Sequence, residues 1–223
     1  MRAMILAAGR GERLRPLTES IPKALVPVGG KPLLAWHLER LAASGCLEAV
    51  INVSHLAGQI VERIGDGGRF GLRIDYSREA EPLETAGGIA HARRLLGEAP
   101  FLLVNADVYC EFDFTRLLGL ELGQRFAHLV LVPNPPHRAG GDFTLDEGMV
   151  GNGAGPRYTY AGIAVMSPAL VDGVQPGEKA PLAPLLRAAA DRGLIRGELH
   201  RGVWQDVGTR ERLAELEAHL ASR

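Results

Sequence analysis

Glycines and arginines follow the first apolar run of the chain. The run Met4-Ile5-Leu6 predicts a short buried strand, and Gly9, Gly11 and Arg13 come soon after it. Glycine lets backbone N–H groups approach a ligand closely, and arginine presents several N–H donors to phosphate oxygens. The stretch therefore indicates a phosphate-binding loop at the end of a strand.

The positive charge of the chain is concentrated around this loop. Residues 1–31 contain six basic and two acidic residues, whereas residues 32–223 contain 19 basic and 24 acidic ones. This pattern suits a polyphosphate better than a long nucleic acid, which would need a wider basic surface. The alternative is a tight turn with solvated arginines. Lys23 favours ligand binding, because Pro22 and Pro27 stiffen a stretch that extends the basic character.

The sequence does not match the motifs of two common phosphate-binding loops. The dinucleotide fingerprint needs a third glycine where the chain has Leu14, which disfavours an NAD-binding oxidoreductase. A Walker loop needs a glycine five residues before Gly30, where the chain has Leu25. The loop therefore belongs to a different kind of phosphate site.

Two aspartates could supply a metal site beside the phosphates. Asp107 and Asp206 each end an apolar segment. Magnesium prefers one or two carboxylates together with phosphate oxygens and water, so this pair would suffice next to a triphosphate. The alternatives are an Asx turn at Asp107 and a turn or helix-capping role for Asp206 ahead of Thr209.

The composition favours one intracellular α/β domain. A chain of 223 residues buries roughly 70% of its unfolded surface, and Cys46 and Cys110 show no zinc or redox spacing. No signal peptide or membrane span is predicted, since no apolar run approaches about 18 residues. We expect a cytoplasmic protein without membrane or nucleic-acid partners. The sequence shows no nucleophile setting such as GxSxG, so covalent catalysis is not expected.

Strands and helices are predicted to alternate through residue 120, which favours parallel βαβ units. In such sheets ligands bind at the carboxyl ends of strands, where both Gly9–Arg13 and Asn105–Asp107 fall, so the two stretches should face one crevice. Segment 133–156, rich in proline and glycine, is predicted to form a lid or pocket walls. Predicted helices include 31–45, 180–192 and 209–221, and predicted strands include 48–53, 100–104 and 127–132.

The sequence resembles the sugar-1-phosphate nucleotidylyltransferase family. The resemblance implies a Rossmann-like three-layer α/β/α fold with a mixed, mostly parallel sheet. It implies one domain over residues 1–223, with 1–120 mainly binding the nucleotide and 121–223 mainly binding the sugar and supplying the second metal ligand. The motifs are Leu6-Ala7-Ala8-Gly9-x-Gly11-x-Arg13-Leu14-x-Pro16-Leu17-Thr18, Pro22-Lys23-x-Leu25-x-Pro27-Val28, Asn105-Ala106-Asp107 and Trp204-x-Asp206-Val207-Gly208-Thr209.

The resemblance also implies a reaction. A sugar-1-phosphate oxygen attacks the α-phosphorus of a nucleoside triphosphate, and pyrophosphate leaves, so the protein must align the substrates and neutralise charge rather than supply a nucleophile. By resemblance, Arg13 and Lys23 are the catalytic residues and Mg²⁺ is the cofactor, held by Asp107 and Asp206. The resemblance further assigns Ala8, Gly9, Gly11, Arg13, Glu81, Thr85 and Gly88 to the nucleotide, and Asn105, Asp142 and Gly162 to the sugar.

Within the family, Glu12 and the Glu81–Gly88 motif are similar to those of the bacterial N-acetylmuramate-1-phosphate uridylyltransferases, which act in cell-wall recycling. We therefore expect UTP and N-acetylmuramate 1-phosphate as substrates, and a monomer. Gly140 departs from the arginine of similar enzymes. The alternatives are a mannose-1-phosphate guanylyltransferase, a glucose-1-phosphate thymidylyl- or uridylyltransferase, or a non-catalytic nucleotide-sugar sensor, which could dispense with the two aspartates.

Overall fold

The computed structural model describes residues 1–222; Arg223, the last residue of the predicted domain, lies outside the described residues. The helices are α1 Leu17–Ser20, α2 Leu33–Ala43, α3 Ala57–Ile64, α4 Glu84–His91, α5 Arg93–Leu96, α6 Thr115–Leu118, α7 Leu182–Asp191 and α8 Arg210–Ala221. The strands are β1 Ala3–Leu6, β2 Pro27–Val28, β3 Lys31–Pro32, β4 Glu48–Val53, β5 Arg73–Arg78, β6 Phe101–Asn105, β7 Val108–Cys110, β8 Ala127–Val132, β9 Phe143–Asp146, β10 Met149–Gly151, β11 Arg157–Met166, β12 Ile195–Leu199 and β13 Trp204–Asp206.

Nine strands form the central sheet, in the order β5-β4-β1-β6-β11-β8-β12-β10-β9. The first four are mutually parallel, and Ile5 of β1 lies between Ile51 of β4 and Val104 of β6. Strand β11 runs antiparallel to both of its neighbours, and β10 runs antiparallel to β12 and β9, so all strands except β10 and β11 point the same way. The expected mixed, mostly parallel sheet is confirmed.

Helices cover both faces of this sheet. Side chains alternate along a strand, so Ala3 and Ile5 of β1 join one buried cluster and Met4 joins the other. The first cluster contains apolar side chains of α2 and α3, and the second contains those of α4 and α7. The strands are therefore buried on both sides, as parallel strands usually are, and the expected three-layer α/β/α fold is confirmed.

Local sequence explains where several elements begin and end. Helix α2 starts at Leu33 rather than at Lys31, because Lys31–Pro32 pairs with Pro27–Val28 as a short antiparallel ribbon. Helix α8 starts after Thr209, whose hydroxyl accepts a hydrogen bond from the Arg212 N–H as an N-cap. Segment 133–156 contains the β9–β10 hairpin at one edge of the sheet.

Candidate active site

A cavity of about 830 Å³ lies at the carboxyl ends of the parallel strands. Its walls include the last residues of β1, β4 and β6, the residues that follow β1, β5 and β6, and the start of α4. The expectation that the first loop and Asn105–Asp107 share a crevice agrees with this placement. The predicted nucleotide-side residues that line it are Ala8, Gly9, Gly11, Arg13, Lys23, Glu81 and Thr85, and Asn105, Asp107 and Gly208 line it as well.

The two glycines of the first loop have different surroundings. A Cβ at Gly9 would meet no atom within 4 Å, so this part of the loop is open. Gly11 has a left-handed φ of +65°, and a Cβ there would lie 2.9 Å from the Thr18 methyl group and 3.1 Å from Lys23 Cβ. The Thr18 hydroxyl donates to the Gly11 carbonyl at 2.7 Å. Gly11 therefore lets the loop fold back against Lys23.

Lys23 links this loop to the turn after β6. Its Nζ lies 2.5 Å from Asp107 Oδ2, and the Lys23 side chain is only 11% exposed. A mostly buried ammonium group needs a compensating anion, and Asp107 supplies it. The structure thus joins a predicted phosphate ligand to a predicted metal ligand.

Asp107 and Asp206 are brought together by backbone pairing. Strand β13 runs antiparallel to β7, with Asp206 opposite Val108, and the Val207 N–H donates to the Asp107 carbonyl at 2.7 Å. The Asp206 carboxylate contacts Arg212 Nη1 at 2.5 and 2.7 Å, and His137 Nε2 lies 3.0 Å away. Asp206 does not itself line the cavity, but its close neighbour Gly208 does.

Sequence reasoning missed Arg212 and His137. Arg212 lies in the first turn of a helix with a polar surface, and His137 lies in a short 3₁₀ helix, Pro136–Arg138. Neither position carries a motif, so the sequence offered no signal for them. Segment 133–156 provides no residue of the cavity wall in the described chain, and it reaches the site through the contact of His137 with Asp206 instead.

A buried polar network supports the loop after β1. The Ala7 N–H donates to Asn52 Oδ1 at 2.8 Å, and Asn52 Nδ2 donates to Glu79 Oε1 at 2.7 Å. Glu79 Oε2 accepts from the Leu83 N–H at 2.9 Å. Asn52 and Glu79 are 3% and 5% exposed, yet their hydrogen bonds are satisfied, which makes the network rigid. These residues were also missed, although a polar residue within the apolar run 49–53 was a usable signal.

Gly88 lies behind this network rather than in the cavity wall. A Cβ at Gly88 would lie 2.8 Å from Glu79 Oε1 and 2.9 Å from Asn52 Nδ2. Any larger residue at this position would displace the Asn52 amide and the Glu79 carboxylate from their hydrogen-bonded positions. The structure therefore places Gly88 as a supporting residue, while Glu81 and Thr85 are the predicted nucleoside neighbours that face the cavity.

The three predicted sugar residues occupy different surroundings. Asn105 lines the cavity and packs against Gly162, where φ is +75° and a Cβ would lie 2.7 Å from Asn105 Nδ2. Asp142 lies outside the cavity wall, where its Oδ2 accepts from the Tyr160 N–H at 2.9 Å and its Oδ1 from Arg138 Nη2 at 3.0 Å. The structure brings Asn105 and Gly162 together, and it uses Asp142 to tie the 138–142 loop to β11.

A cationic glycine loop with Asp107 in the same cavity, at the carboxyl edge of a Rossmann-like sheet, is typical of a nucleotide-binding transferase. The chain belongs to the nucleotidyl transferase family, whose model matches residues 2–139. It is 48% identical to the N-acetylmuramate alpha-1-phosphate uridylyltransferase of Neisseria meningitidis serogroup B, over 98% of this chain and 97% of that protein. The family membership expected from the sequence is confirmed.

Other relatives are also sugar-1-phosphate nucleotidyltransferases. The chain is 31% identical to mannose-1-phosphate guanyltransferase beta-A of Xenopus laevis over 93% of its length, which corresponds to 61% of that protein. It is 33% identical to glucose-1-phosphate thymidylyltransferase of Streptomyces griseus over 93% of its length and 62% of that protein.

Two solved structures show the same fold. A Bacillus anthracis protein described as a glucose-1-phosphate thymidylyltransferase, in complex with a sucrose, superposes with a TM-score of 0.88 at 19% identity, over 100% of this chain and 96% of that one. HddC from Yersinia pseudotuberculosis, complexed with GMP-PN, superposes with a TM-score of 0.78 at 22% identity, over 98% of both chains. Within residues 1–222, no helix is both long and apolar enough to cross a membrane.

Proposed function

We propose that the chain is a uridylyltransferase that joins N-acetylmuramate 1-phosphate to the UMP part of UTP and releases pyrophosphate. The observation that carries this proposal is the 48% identity to the Neisseria meningitidis enzyme along nearly the whole of both chains. The cavity supports it chemically, since Arg13, Lys23 and Asp107 all line it. Retention of these cations with both aspartates argues against a non-catalytic sensor.

The protein groups have distinct tasks in this reaction. The open loop at Ala8 and Gly9, together with Arg13, binds the triphosphate and orients its α-phosphorus toward the incoming sugar phosphate. Lys23 neutralises the phosphate oxygens as the bond to the α-phosphorus forms and the bond to pyrophosphate breaks. No protein nucleophile is needed, because the sugar phosphate attacks directly.

Magnesium is part of the proposal, and the residues present suit it. Asp107 comes directly before β7 and Asp206 ends β13, the strand that pairs with β7, and each carboxylate is neutralised by a side-chain cation that an ion could replace. Within the described residues no group of three or more acidic, histidine or cysteine side chains is arranged for a metal, so phosphate oxygens and water would complete its shell. Bound there, Mg²⁺ would offset repulsion between two anionic substrates and polarise the α-phosphate.

The sugar side of the proposal must account for Gly140. A Cβ at Gly140 would meet nothing within 4 Å, so this position has room for a larger side chain. Arg138, two residues earlier, donates to Asp142 Oδ1 at 3.0 Å. A guanidinium group therefore lies beside Asp142 without an arginine at position 140.

A mannose-1-phosphate guanylyltransferase is the second candidate, favoured by the Xenopus laevis relative.

We also propose a cytoplasmic enzyme of peptidoglycan recycling that works as a monomer. Support for a monomer comes from the surface, where Met1 and Leu47 are the large hydrophobic residues exposed in the described part of the chain. Two side chains do not make an interface core.

A pyrophosphate-release assay tests the proposal. UTP, GTP, dTTP and ATP are each combined with N-acetylmuramate 1-phosphate, mannose 1-phosphate and glucose 1-phosphate, with Mg²⁺ or with EDTA. We expect the highest kcat/KM for UTP with N-acetylmuramate 1-phosphate and no turnover in EDTA. Preference for GTP with mannose 1-phosphate would favour the second candidate, and turnover in no combination would exclude an enzyme. Gly140→Arg, assayed on the same substrates, reports how far this position sets sugar choice.

A further inference from the structure

We propose that Arg212 is a second triphosphate-binding arginine, and that Asp206 competes with the phosphate for it. This inference rests on the proposed function, because it assumes that a nucleoside triphosphate occupies the cavity. It concerns a residue that neither the sequence motifs nor the loop after β1 contains.

The Arg212 guanidinium is mostly buried and only partly used. The side chain is 11% exposed, and its Nη1 contacts both Asp206 oxygens and His137 Nε2. In the described part of the chain, every hydrogen bond of this side chain uses Nη1. The Nη2 group points elsewhere: a Cβ at Gly208 would lie 2.3 Å from it.

Arg13 also approaches Gly208. Its Nη2 would lie 3.1 Å from that same Cβ, so both guanidinium groups lie beside a glycine that lines the cavity. Arg13 is exposed and forms no ion pair with any residue from 1 to 222. Two like charges this close repel each other, and an anion bound beside Gly208 would relieve the repulsion. A phosphate group has the charge and the acceptor oxygens for this role.

Two cations compete for the single Asp206 carboxylate: the Arg212 guanidinium and the proposed divalent ion. If Asp206 ligates a divalent ion, its ion pair with Arg212 weakens, and a mostly buried guanidinium is left to find another anion. The triphosphate provides that anion beside Gly208. Arg212 therefore changes partners, and the change couples the binding of nucleotide to the binding of metal.

A purely structural Arg212, which only orients Asp206, makes the opposite prediction for the metal. Removal of an orienting group would weaken metal binding. Removal of a competing cation would leave metal binding to the protein alone unchanged or tighter, while nucleotide binding would weaken. The two roles are therefore distinguished by whether removal of Arg212 weakens metal binding to the protein without nucleotide.

The experiment measures equilibrium binding of UTP by calorimetry in EDTA, without any sugar phosphate, so that no turnover occurs. We expect Arg212→Gln to weaken UTP about tenfold or more, as for loss of a charge-assisted hydrogen bond. Asp206→Asn frees Arg212 and should tighten UTP several-fold, and this gain should vanish in the double variant Asp206→Asn/Arg212→Gln. Arg210→Gln, which changes an exposed arginine two residues earlier in the same helix, is the matched control and should bind UTP as the unmodified protein does.

Further binding measurements distinguish the other possible roles of Arg212. Mn²⁺ binding without nucleotide, followed by electron paramagnetic resonance, should be unchanged or tighter in Arg212→Gln; weaker binding would overturn the proposal in favour of an orienting role. A gain in Asp206→Asn that survives in the double variant would overturn it too. N-acetylmuramate 1-phosphate alone should bind Arg212→Gln and the unmodified protein equally, and a selective loss there would assign Arg212 to the sugar phosphate instead.

Folding and the proposed function are checked separately. Thermal unfolding followed by circular dichroism verifies that each variant is folded, and Arg212→Lys, which keeps the charge but not the fork, should recover part of the UTP affinity. If the unmodified protein binds no nucleoside triphosphate with or without metal, the proposed function fails. If it binds UTP and all Arg212 variants bind equally well, only this inference fails.

Discussion

Lys23 and Asp107 lie 84 positions apart in the chain and form an ion pair of 2.5 Å between Nζ and Oδ2 at the cavity wall. The lysine side chain is 11% exposed and the aspartate side chain is 38% exposed. A pair in this setting is screened less than a surface pair, so each partner holds the other in place. It also means that neither group is free until a substrate or metal competes for it.

Replacement of Lys23 tests its part in neutralising the phosphates. Lys23→Met should lower kcat/KM by about 10²–10³-fold, the usual cost of losing one charge-stabilising donor in an active site. Steady-state pyrophosphate release measures this. Lys31→Met is the matched control, because Lys31 pairs with Glu39 outside the cavity, and it should retain the unmodified rate. Equal rates for both variants would contradict a catalytic role for Lys23.

The two aspartates are expected to act as a pair. Asp107→Asn and Asp206→Asn should each lower Mg²⁺-dependent turnover by orders of magnitude while the far-ultraviolet circular dichroism spectrum is unchanged, because the amide keeps the shape but loses the charge that a divalent ion needs. Asp172→Asn, which removes an exposed partner of Arg93, is the control and should leave turnover as it is. A near-normal rate for either active-site variant would disprove the metal assignment.

The network below the loop predicts a change in stability. In Glu79→Gln, one oxygen that accepts from Asn52 or Leu83 becomes an N–H₂ group facing a donor, so one buried hydrogen bond is lost. We expect the free energy of unfolding in urea to fall by about 1–3 kcal/mol. Glu98→Gln, which alters an exposed pair with Arg93, should leave the free energy of unfolding nearly unchanged, because water screens such a pair. No difference between the two variants would show that the network contributes little.

His37 predicts a pH dependence of stability. It is 1% exposed, and burial lowers its pKa from 6.5 to about 4. The neutral ring is therefore favoured in the folded state, whereas the unfolded chain takes up a proton below pH 6.5. The contribution of His37 to the free energy of unfolding is therefore complete above pH 6.5. It is lost as the pH falls toward 4, and the free energy of unfolding decreases by up to about 1.4 kcal/mol per pH unit.

Urea unfolding between pH 4 and 7, with EDTA present, measures this slope. His37→Gln should remove part of the slope, because the titrating ring is gone. His55→Gln, at an exposed position, should keep the slope of the unmodified protein. Parallel slopes for all three proteins would refute the assignment to His37.

Periodicity and capping predicted much of the fold because these signals are local. The strand predicted over 127–132 has the observed bounds, and the helix predicted from Thr209 begins one residue later because Thr209 is its N-cap. Helix α2 begins later than predicted, since the partner of Lys31–Pro32 is a second short segment that no periodicity marks. Pairing between distant segments is therefore where sequence reasoning lost accuracy.

The residues of the site also divide into those marked by local motifs and those defined by contacts between distant segments. Gly9, Gly11, Lys23 and Asp107, which line the cavity, could be named from the sequence because each lies in a motif of defined spacing. Arg212, His137 and Glu79 could not, because their roles come from contacts between elements far apart in the chain. The sequence also could not show that Gly88 and Gly162 serve by leaving room for Glu79 and Asn105.

The pairing of β7 with β13 has a consequence for synthesis of the protein. Asp107 leaves the ribosome roughly a hundred residues before Asp206, which at about 5–20 residues per second is a delay of roughly 5–20 seconds. During that interval Lys23, which has been made earlier, is available as a partner for the Asp107 carboxylate. Under the proposed metal role of both aspartates, we expect the nascent chain to be inactive until Asp206 emerges and β13 pairs with β7.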